Sequence, residues 1–233
     1  MAPARAPFLN VDAGELEDEP EELYAIAHAV SIACGGHAGD ERSMERVLRA
    51  CGTFGARAGA HPSYEDREGF GRRDLSLAPA SIEASVEAQC ARLAAVARGC
   101  GVALTHVKPH GALYHAANRD PEIARAVVAA ARRALGSLLV VGPPEGELRR
   151  AAVGAGLPFA REGFADRAMR PDGSLVPRSE PGAVVTDVDL ARAQARRLAA
   201  SGAFDTLCVH GDSPGAVAIA RAVRDELDAL GGR

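Results

Sequence analysis

Short runs of apolar and β-branched residues recur along the chain, and each gap between them is long enough to hold a helix or an extended loop. The runs are five or six residues long and carry few polar positions, which is typical of parallel strands buried on both faces. We therefore predict seven strands, at residues 8–13, 30–34, 56–60, 103–108, 138–142, 158–162 and 205–210.

The segments between the predicted strands carry helical signals. Residues 81–97 and 191–200 place apolar side chains at helical spacing. Asp40, Asp120 and Asp187 are good N-capping residues, because a short carboxylate accepts hydrogen bonds from the free N–H groups of the first turn. Strand and helix thus alternate about seven times.

Such alternation gives either a doubly wound sheet or a closed barrel. A doubly wound sheet concentrates its functional loops at one switch point, whereas a barrel uses the loops after many strands. Here almost every predicted strand ends in polar, glycine-bearing sequence, at residues 12–15, 35–40, 59–62, 108–111 and 210–212. We therefore predict an α/β fold in which residues 1–233 form a single parallel β/α-barrel domain.

Composition narrows the class of protein. The net charge of -4, the sequence pI near 6.0 and an aromatic content of 4% give no footprint for nucleic acid. No apolar stretch approaches the roughly 20 residues of a membrane helix, and the first residues lack the apolar core of a signal peptide. The five cysteines form no C-x-x-C pair, so we expect buried free thiols and a cytoplasmic location.

Lys108 is the only lysine among 27 basic residues. A guanidinium cannot replace a compact, titratable ammonium, so a retained lysine indicates a specific role; a stray surface residue is the alternative. The strand period of two places His106, Lys108 and His110 on one side. Beside imidazoles we expect a lowered pKa for Lys108, suited to an acid, a base or an electrostatic clamp.

Candidate metal ligands follow the first three strands. Asp12, with Glu15 close behind it, follows the first strand, where a carboxylate can act as a general base, bind a metal or cap the next helix. With His37 and His61, Asp12 forms a candidate set of metal ligands that could activate water. Hydrogen bonding without a metal is an equally open interpretation.

Two long irregular segments, 64–74 and 165–181, combine arginine with glycine and proline, which suits loops that grip a carboxylate or phosphate; solvated surface loops are the alternative. His210 and Asp212 follow the last strand, before a helix start that could hold an anion. No G-x-x-x-x-G-K-[ST] motif occurs, so use of ATP needs another binding mode or another chain. The arginines of the two irregular segments 64–74 and 165–181 are Arg67, Arg72, Arg73, Arg167, Arg170 and Arg178.

Eight segments of the chain carry motifs that follow one another in order over nearly its whole length, at residues 9–15, 32–40, 59–64, 69–73, 106–114, 164–167, 176–179 and 205–212. Together they resemble the LamB/YcsF family, the A subunits of bacterial ATP-dependent 5-oxoprolinase. The resemblance implies a seven-stranded, distorted TIM-like parallel β/α barrel of the glycoside hydrolase and deacetylase type. It also implies opening of the lactam of 5-oxo-L-proline to L-glutamate with ATP hydrolysis, together with subunits B and C.

The matching motifs suggest roles for individual residues, with Mg-ATP used together with the partner subunits and a divalent metal left open. The predicted catalytic residues are Asp12, Lys108, His110 and Asp212. The predicted substrate-binding residues are Glu15, Arg72, His210 and Arg178, and the metal candidates are Asp12, His37 and His61.

Two other functions remain open on the sequence. A metal-dependent deacetylase or amidohydrolase on the same barrel would use Asp12, His37 and His61. A non-catalytic subunit that binds a small molecule is the second. In either case a homo-oligomer is compatible with the sequence.

Overall fold

Seven parallel strands close into a barrel in the computed structural model, which describes residues 6–170, 175–178 and 180–231. The strands are ordered as in the sequence, and β1 pairs with both β2 and β7. They are β1 (Phe8–Ala13), β2 (Ala29–Ala33), β3 (Arg57–His61), β4 (Leu104–Val107), β5 (Leu139–Gly142), β6 (Phe159–Phe164) and β7 (Thr206–His210). The predicted barrel and all seven strands are confirmed, with bounds that differ from the prediction by at most two residues.

Helices surround the barrel and follow most of its strands. They are α1 (Glu22–Ile26), α2 (Glu41–Phe54), α3 (Pro79–Cys100), α4 (Gly111–Arg119), α5 (Pro121–Leu135), α6 (Glu147–Gly154), α7 (Val188–Ala200) and α8 (Ala216–Gly231). Asp40, Asp120 and Asp187 each accept backbone N–H groups at a helix start, as predicted. Within the described ranges, no helix has the length and apolar character needed to cross a membrane.

The irregular segments are only partly described. Residues 171–174 and Ser179, which belong to the predicted segment 165–181 and the motif 176–179, lie outside the described residues. The five cysteines are free, and all are buried except the half-buried Cys100.

The strands separate an apolar layer from a polar barrel interior. In β1, Leu9 and Val11 belong to the apolar core, whereas the alternate residues Asn10 and Asp12 are equally buried and polar. Because consecutive strand residues point to opposite faces, the apolar set packs against the helices and the polar set fills the barrel. Buried polar groups need partners, so the interior is an extended hydrogen-bonded network.

The pairing register of β1, β2, β3 and β7 places several residues of these strands at the same height along the barrel axis. Asp12 pairs with Ser31 on one side and His210 on the other, and Ser31 continues the row to Gly59. A Cβ at Gly59 would lie 2.4 Å from the ring of His106, so only glycine leaves room for this imidazole. The His106 ring lies 3.2 Å, Nε2 to Oγ, from Ser31.

Candidate active site

Lys108 spans the barrel interior. It follows β4 and is 2% exposed, yet its Nζ reaches β1, β6 and β7. Nζ lies 2.5 Å from Asp12 Oδ1 and donates hydrogen bonds of 3.0 Å to Glu162 Oε1 and Asn10 Oδ1. Cys208 Sγ lies 3.3 Å away. The lone lysine is therefore a buried cation held between two carboxylates.

These contacts overturn the expected lowering of the Lys108 pKa. Burial alone would lower it, but the charges of Asp12 and Glu162 outweigh burial and raise the pKa well above its usual value. For Asp12 burial favours the neutral acid, but His61 and Lys108 outweigh it and hold the pKa well below its usual value. The sequence interpretation was wrong because it considered only the neighbouring imidazoles. Lys108 is a fixed cation that keeps Asp12 ionised, and it is not a general base at neutral pH.

A second cluster joins one carboxylate and three imidazoles at the ends of β1 to β4. His37 Nε2 lies 2.9 Å from Glu15 Oε1, and His110 Nδ1 lies 3.4 Å from the same oxygen. His61 Nε2 lies 3.0 Å from His110 Nδ1 and 3.8 Å from Glu15 Oε1. The His37 and His110 rings stack with centroids 3.7 Å apart. We call these four residues the histidine cluster.

Burial controls the protonation of this cluster. Burial lowers the pKa of His37 and of His110 well below the usual value, and the charge of a neighbouring imidazole adds to the effect. Burial, together with the charge of Asp12, raises the pKa of Glu15 well above its usual value. Without a bound cation, the protein therefore favours neutral His37, His110 and Glu15 side chains.

The loop after β3 covers the histidine cluster. Phe70 and Gly71 both have left-handed backbones, with φ of 54° and 66°. This conformation aims the Phe70 carbonyl at His110 Nε2, 3.0 Å away. A Cβ at Gly71 would lie 2.8 Å from His37 Cβ and 3.0 Å from His110 Cδ2. Glycine is therefore required for the backbone to lie this close to the imidazoles.

A histidine and an aspartate form a hydrogen-bonded pair at the end of β7. His210 Nδ1 lies 3.0 Å from both carboxylate oxygens of Asp166, which also accepts the His210 backbone N–H at 2.8 Å. Because a carboxylate accepts, His210 Nδ1 carries the proton and Nε2 is free to take another one. Nε2 lies 4.0 Å from Asp12 Oδ2.

Two arginines meet one carboxylate at the rim of the barrel. Arg72, from the loop after β3, lies 2.5 Å from Asp212 Oδ2, and Arg178, from the segment between β6 and α7, lies 3.0 Å from the same oxygen. Burial favours the neutral acid at Asp212, but Arg178, His210 and Arg72 outweigh it and lower the pKa. Both guanidinium groups are partly exposed, so they can contact a ligand as well.

The other loop arginines have protein partners. Arg67 binds the Gly39 carbonyl, and Arg73 binds Asp66. Each of the remaining two bridges residues of its own loop: Arg167 donates to the carbonyls of Ala183 and Val176, and Arg170 pairs with Glu180. Of the arginines predicted to grip an anion, Arg72 and Arg178 are the two that pair with Asp212 among the described ion pairs.

The structure brings every predicted site residue to one end of the barrel, and their roles stay predictions. The predicted metal candidates are split: His61 Nε2 lies 3.4 Å from Asp12 Oδ2, whereas His37 contacts Glu15. Sequence reasoning gave no role to Asn10, Glu162, Asp166 or Cys208. Glu162 carries a usable signal, because a charged residue inside a buried strand needs a buried partner.

Comparison of the sequence with known proteins identifies the family of this chain. The sequence profile of the LamB/YcsF family matches residues 9–233. The chain belongs to the LamB/YcsF family. Similar proteins include the A subunit of 5-oxoprolinase from Symbiobacterium thermophilum, which is 42% identical over 98% of this chain and 94% of that protein. Its counterpart from Methylococcus capsulatus is 44% identical over the same shares.

Two solved structures have a fold similar to that of this chain. The lactam utilization protein from Thermus thermophilus is 36% identical, covers 97% of each chain and has a TM-score of 0.88. A family 4 carbohydrate esterase from Streptomyces lividans, solved with acetate, has a TM-score of 0.52 at 13% identity over 97% of this chain and 90% of its own. The esterase shares the fold alone.

Proposed function

We propose that this chain is the A subunit of an ATP-dependent 5-oxoprolinase and carries the site that opens the lactam of 5-oxo-L-proline. The observation that carries the proposal is the buried Lys108 and Asp12 pair beside the imidazole of His210. The relatives are named for 5-oxoprolinase and for lactam utilization, and both names support the choice of a cyclic amide as substrate.

A lactam resists hydrolysis because its amide is stabilised by resonance. Transfer of the γ-phosphoryl group of ATP to the lactam oxygen releases ADP and makes the ring carbon electrophilic. Water then adds to that carbon, and the C–N bond breaks as the nitrogen takes up a proton, which leaves an acyl phosphate. A second water hydrolyses the acyl phosphate to phosphate and glutamate. With no P-loop motif in the chain, we assign the phosphoryl transfer from Mg-ATP to the complex with subunits B and C.

The residues of the site suit the hydrolytic half of this reaction. His210, oriented by Asp166, takes the proton of the attacking water at Nε2 and returns it to the leaving nitrogen. Asp12, kept ionised by Lys108, stabilises the imidazolium that forms. Lys108 acts through Asp12, because its N–H groups are already directed at Asp12, Glu162 and Asn10.

The rim arginines suit the charged groups of the substrate. Arg72 and Arg178 share Asp212 as an anchor, and the exposed parts of their guanidinium groups can bind the ring carboxylate or the transferred phosphate. Bidentate contacts of this kind fix the orientation of the ring against His210.

The experiment is reconstitution of the purified chain with subunits B and C. We expect glutamate from 5-oxoproline only with all three subunits and ATP. Glutamate formation by the chain alone with ATP would contradict the assignment of phosphoryl transfer to the partners. No glutamate from the assembled complex would contradict the proposed function itself.

A further inference from the structure

Two imidazoles of the histidine cluster face each other, each through one ring nitrogen. His61 Nδ1 lies 2.7 Å from the Lys108 carbonyl, and His110 Nε2 lies 3.0 Å from the Phe70 carbonyl. A carbonyl only accepts, so each of these nitrogens carries a hydrogen. When both rings are neutral, the opposite nitrogens, His61 Nε2 and His110 Nδ1, hold lone pairs 3.0 Å apart. Such a contact is repulsive unless a proton or a metal ion lies between the two nitrogens.

Two more donor atoms point to the same place. Glu15 Oε1 lies within 3.8 Å of both lone-pair nitrogens and 2.9 Å from His37 Nε2. The four donor atoms all lie within 4.8 Å of one another. Tetrahedral bonds of about 2.0 to 2.1 Å place ligand atoms about 3.3 Å apart, close to the middle of the observed spacings. A single proton can link only two of these atoms, whereas a metal ion links all four.

The charge around the cluster also favours a dication. Three carboxyl side chains, those of Asp12, Glu15 and Glu162, are exposed by at most 4%, and the ammonium of Lys108 contacts two of them. Glu15 is the one of the three that Lys108 does not contact among the described ion pairs. A bound divalent cation would supply the charge that an ionised Glu15 needs at this depth.

We propose that Glu15, His37, His61 and His110 bind a divalent transition-metal cation of the zinc class. Three imidazoles and one carboxylate are ligands that zinc prefers, whereas Mg²⁺ and Ca²⁺ prefer oxygen. The carbonyl partners of His61 and His110 fix both rings, as the outer hydrogen-bond partners of metal ligands do. The set differs from the Asp12, His37 and His61 set expected from sequence, because Asp12 Oδ1 is occupied by Lys108.

Four protein ligands form a closed coordination sphere, which is typical of a structural metal. The ligands come from the ends of β1, β2, β3 and β4, so the ion joins four consecutive loops on one side of the barrel mouth. This role goes beyond the proposed lactam opening and does not depend on it.

Metal content and thermal melting of the purified chain test the site without an activity assay. Chelator-treated protein is incubated with one equivalent of Zn²⁺ or, in a parallel sample, with Mg²⁺, and is desalted before elemental analysis. We expect about one zinc and no magnesium per chain, and a melting temperature raised by about 5 to 10 °C with zinc. Co²⁺ in place of zinc is expected to give the intense visible bands of a four-coordinate site.

Variants assign the ion to the cluster. His110→Ala and Glu15→Gln are expected to lower the amount of zinc retained at least tenfold. His115 is an exposed histidine on the neighbouring helix α4, and the control variant His115→Ala is expected to retain zinc as the wild type does. Wild-type protein that retains less than about 0.1 zinc per chain, with an unchanged melting curve, would overturn the proposal and leave a proton shared by His61 and His110. Zinc retained equally by all variants would overturn it as well. Because no substrate or partner protein is present, either result is independent of the proposed lactam opening.

Discussion

Replacement of Lys108 by methionine removes the buried cation and keeps a side chain of similar length. Lys108 is 2% exposed, and its Nζ lies 2.5 Å from Asp12 and 3.0 Å from Glu162. Removing one partner of a buried ion pair costs about 3 to 5 kcal/mol, because the remaining charge is left without compensation. With a urea dependence of about 2.5 kcal/mol per molar, the unfolding midpoint falls by about 1 to 2 M.

The dependence of this loss on pH identifies its electrostatic origin. In the wild type the pKa of Asp12 is lowered, so its stabilisation is present above the unfolded value of about 3.9 and is lost as pH falls through the folded pKa. The pKa of Lys108 is raised, so its stabilisation is present below about 10.4 and is lost as pH rises through the folded pKa. Between these limits the wild-type contribution is flat.

In Lys108→Met the carboxyl group of Asp12 loses the counter-charge of Lys108 and takes up a proton more readily, so the variant gains stability relative to wild type between about pH 7 and about pH 5. Urea unfolding followed by circular dichroism at both pH values measures this. Adding Asp12→Asn and Glu162→Gln is expected to recover most of the loss, and the exposed Arg49→Met serves as the control. A loss below about 1 kcal/mol, equal at both pH values, would refute the electrostatic account.

Three further substitutions have defined outcomes. Gly71→Ala is expected to lower the melting temperature more than Gly55→Ala, because both have positive φ but only Gly71 lacks space for a Cβ; equal losses would contradict the close packing against the imidazoles. Arg178→Ala is expected to raise KM for 5-oxoproline about 10- to 100-fold at nearly constant kcat, and an unchanged KM would exclude it from substrate binding. Asp166→Asn is expected to lower kcat about 100- to 10,000-fold through the altered His210 tautomer, which steady-state glutamate assays measure.

The fold was predictable because its signals are local. Each strand is a short apolar run, and Asp40, Asp120 and Asp187 mark helix starts through hydrogen bonds to residues two or three positions away. The recurrence of polar sequence after each strand then favoured a closed barrel over an open sheet. These patterns depend on neighbouring residues, so the sequence carries them directly.

The interior contacts were not predictable because they join distant parts of the chain. Lys108 contacts Glu162, 54 positions away in the sequence, and Asn10, 98 positions away. The strand period of two predicts only which side chains face inward, and it does not predict which of them are in contact. The pKa of Lys108 was therefore assigned from its neighbours in sequence, which are histidines, and not from the carboxylates across the barrel. Asp166 was missed for the same reason, since its partner His210 lies 44 positions away.

Glutamate formation from 5-oxoproline and ATP, by the chain assembled with subunits B and C, is the most direct measurement of the role assigned to the Lys108 and Asp12 pair. Asp12→Asn keeps the size of the side chain and leaves Glu162 to pair with Lys108. We expect kcat to fall about 100- to 10,000-fold, while circular dichroism shows a folded chain and gel filtration shows an intact complex. An intact complex that forms glutamate at the wild-type rate would contradict the account.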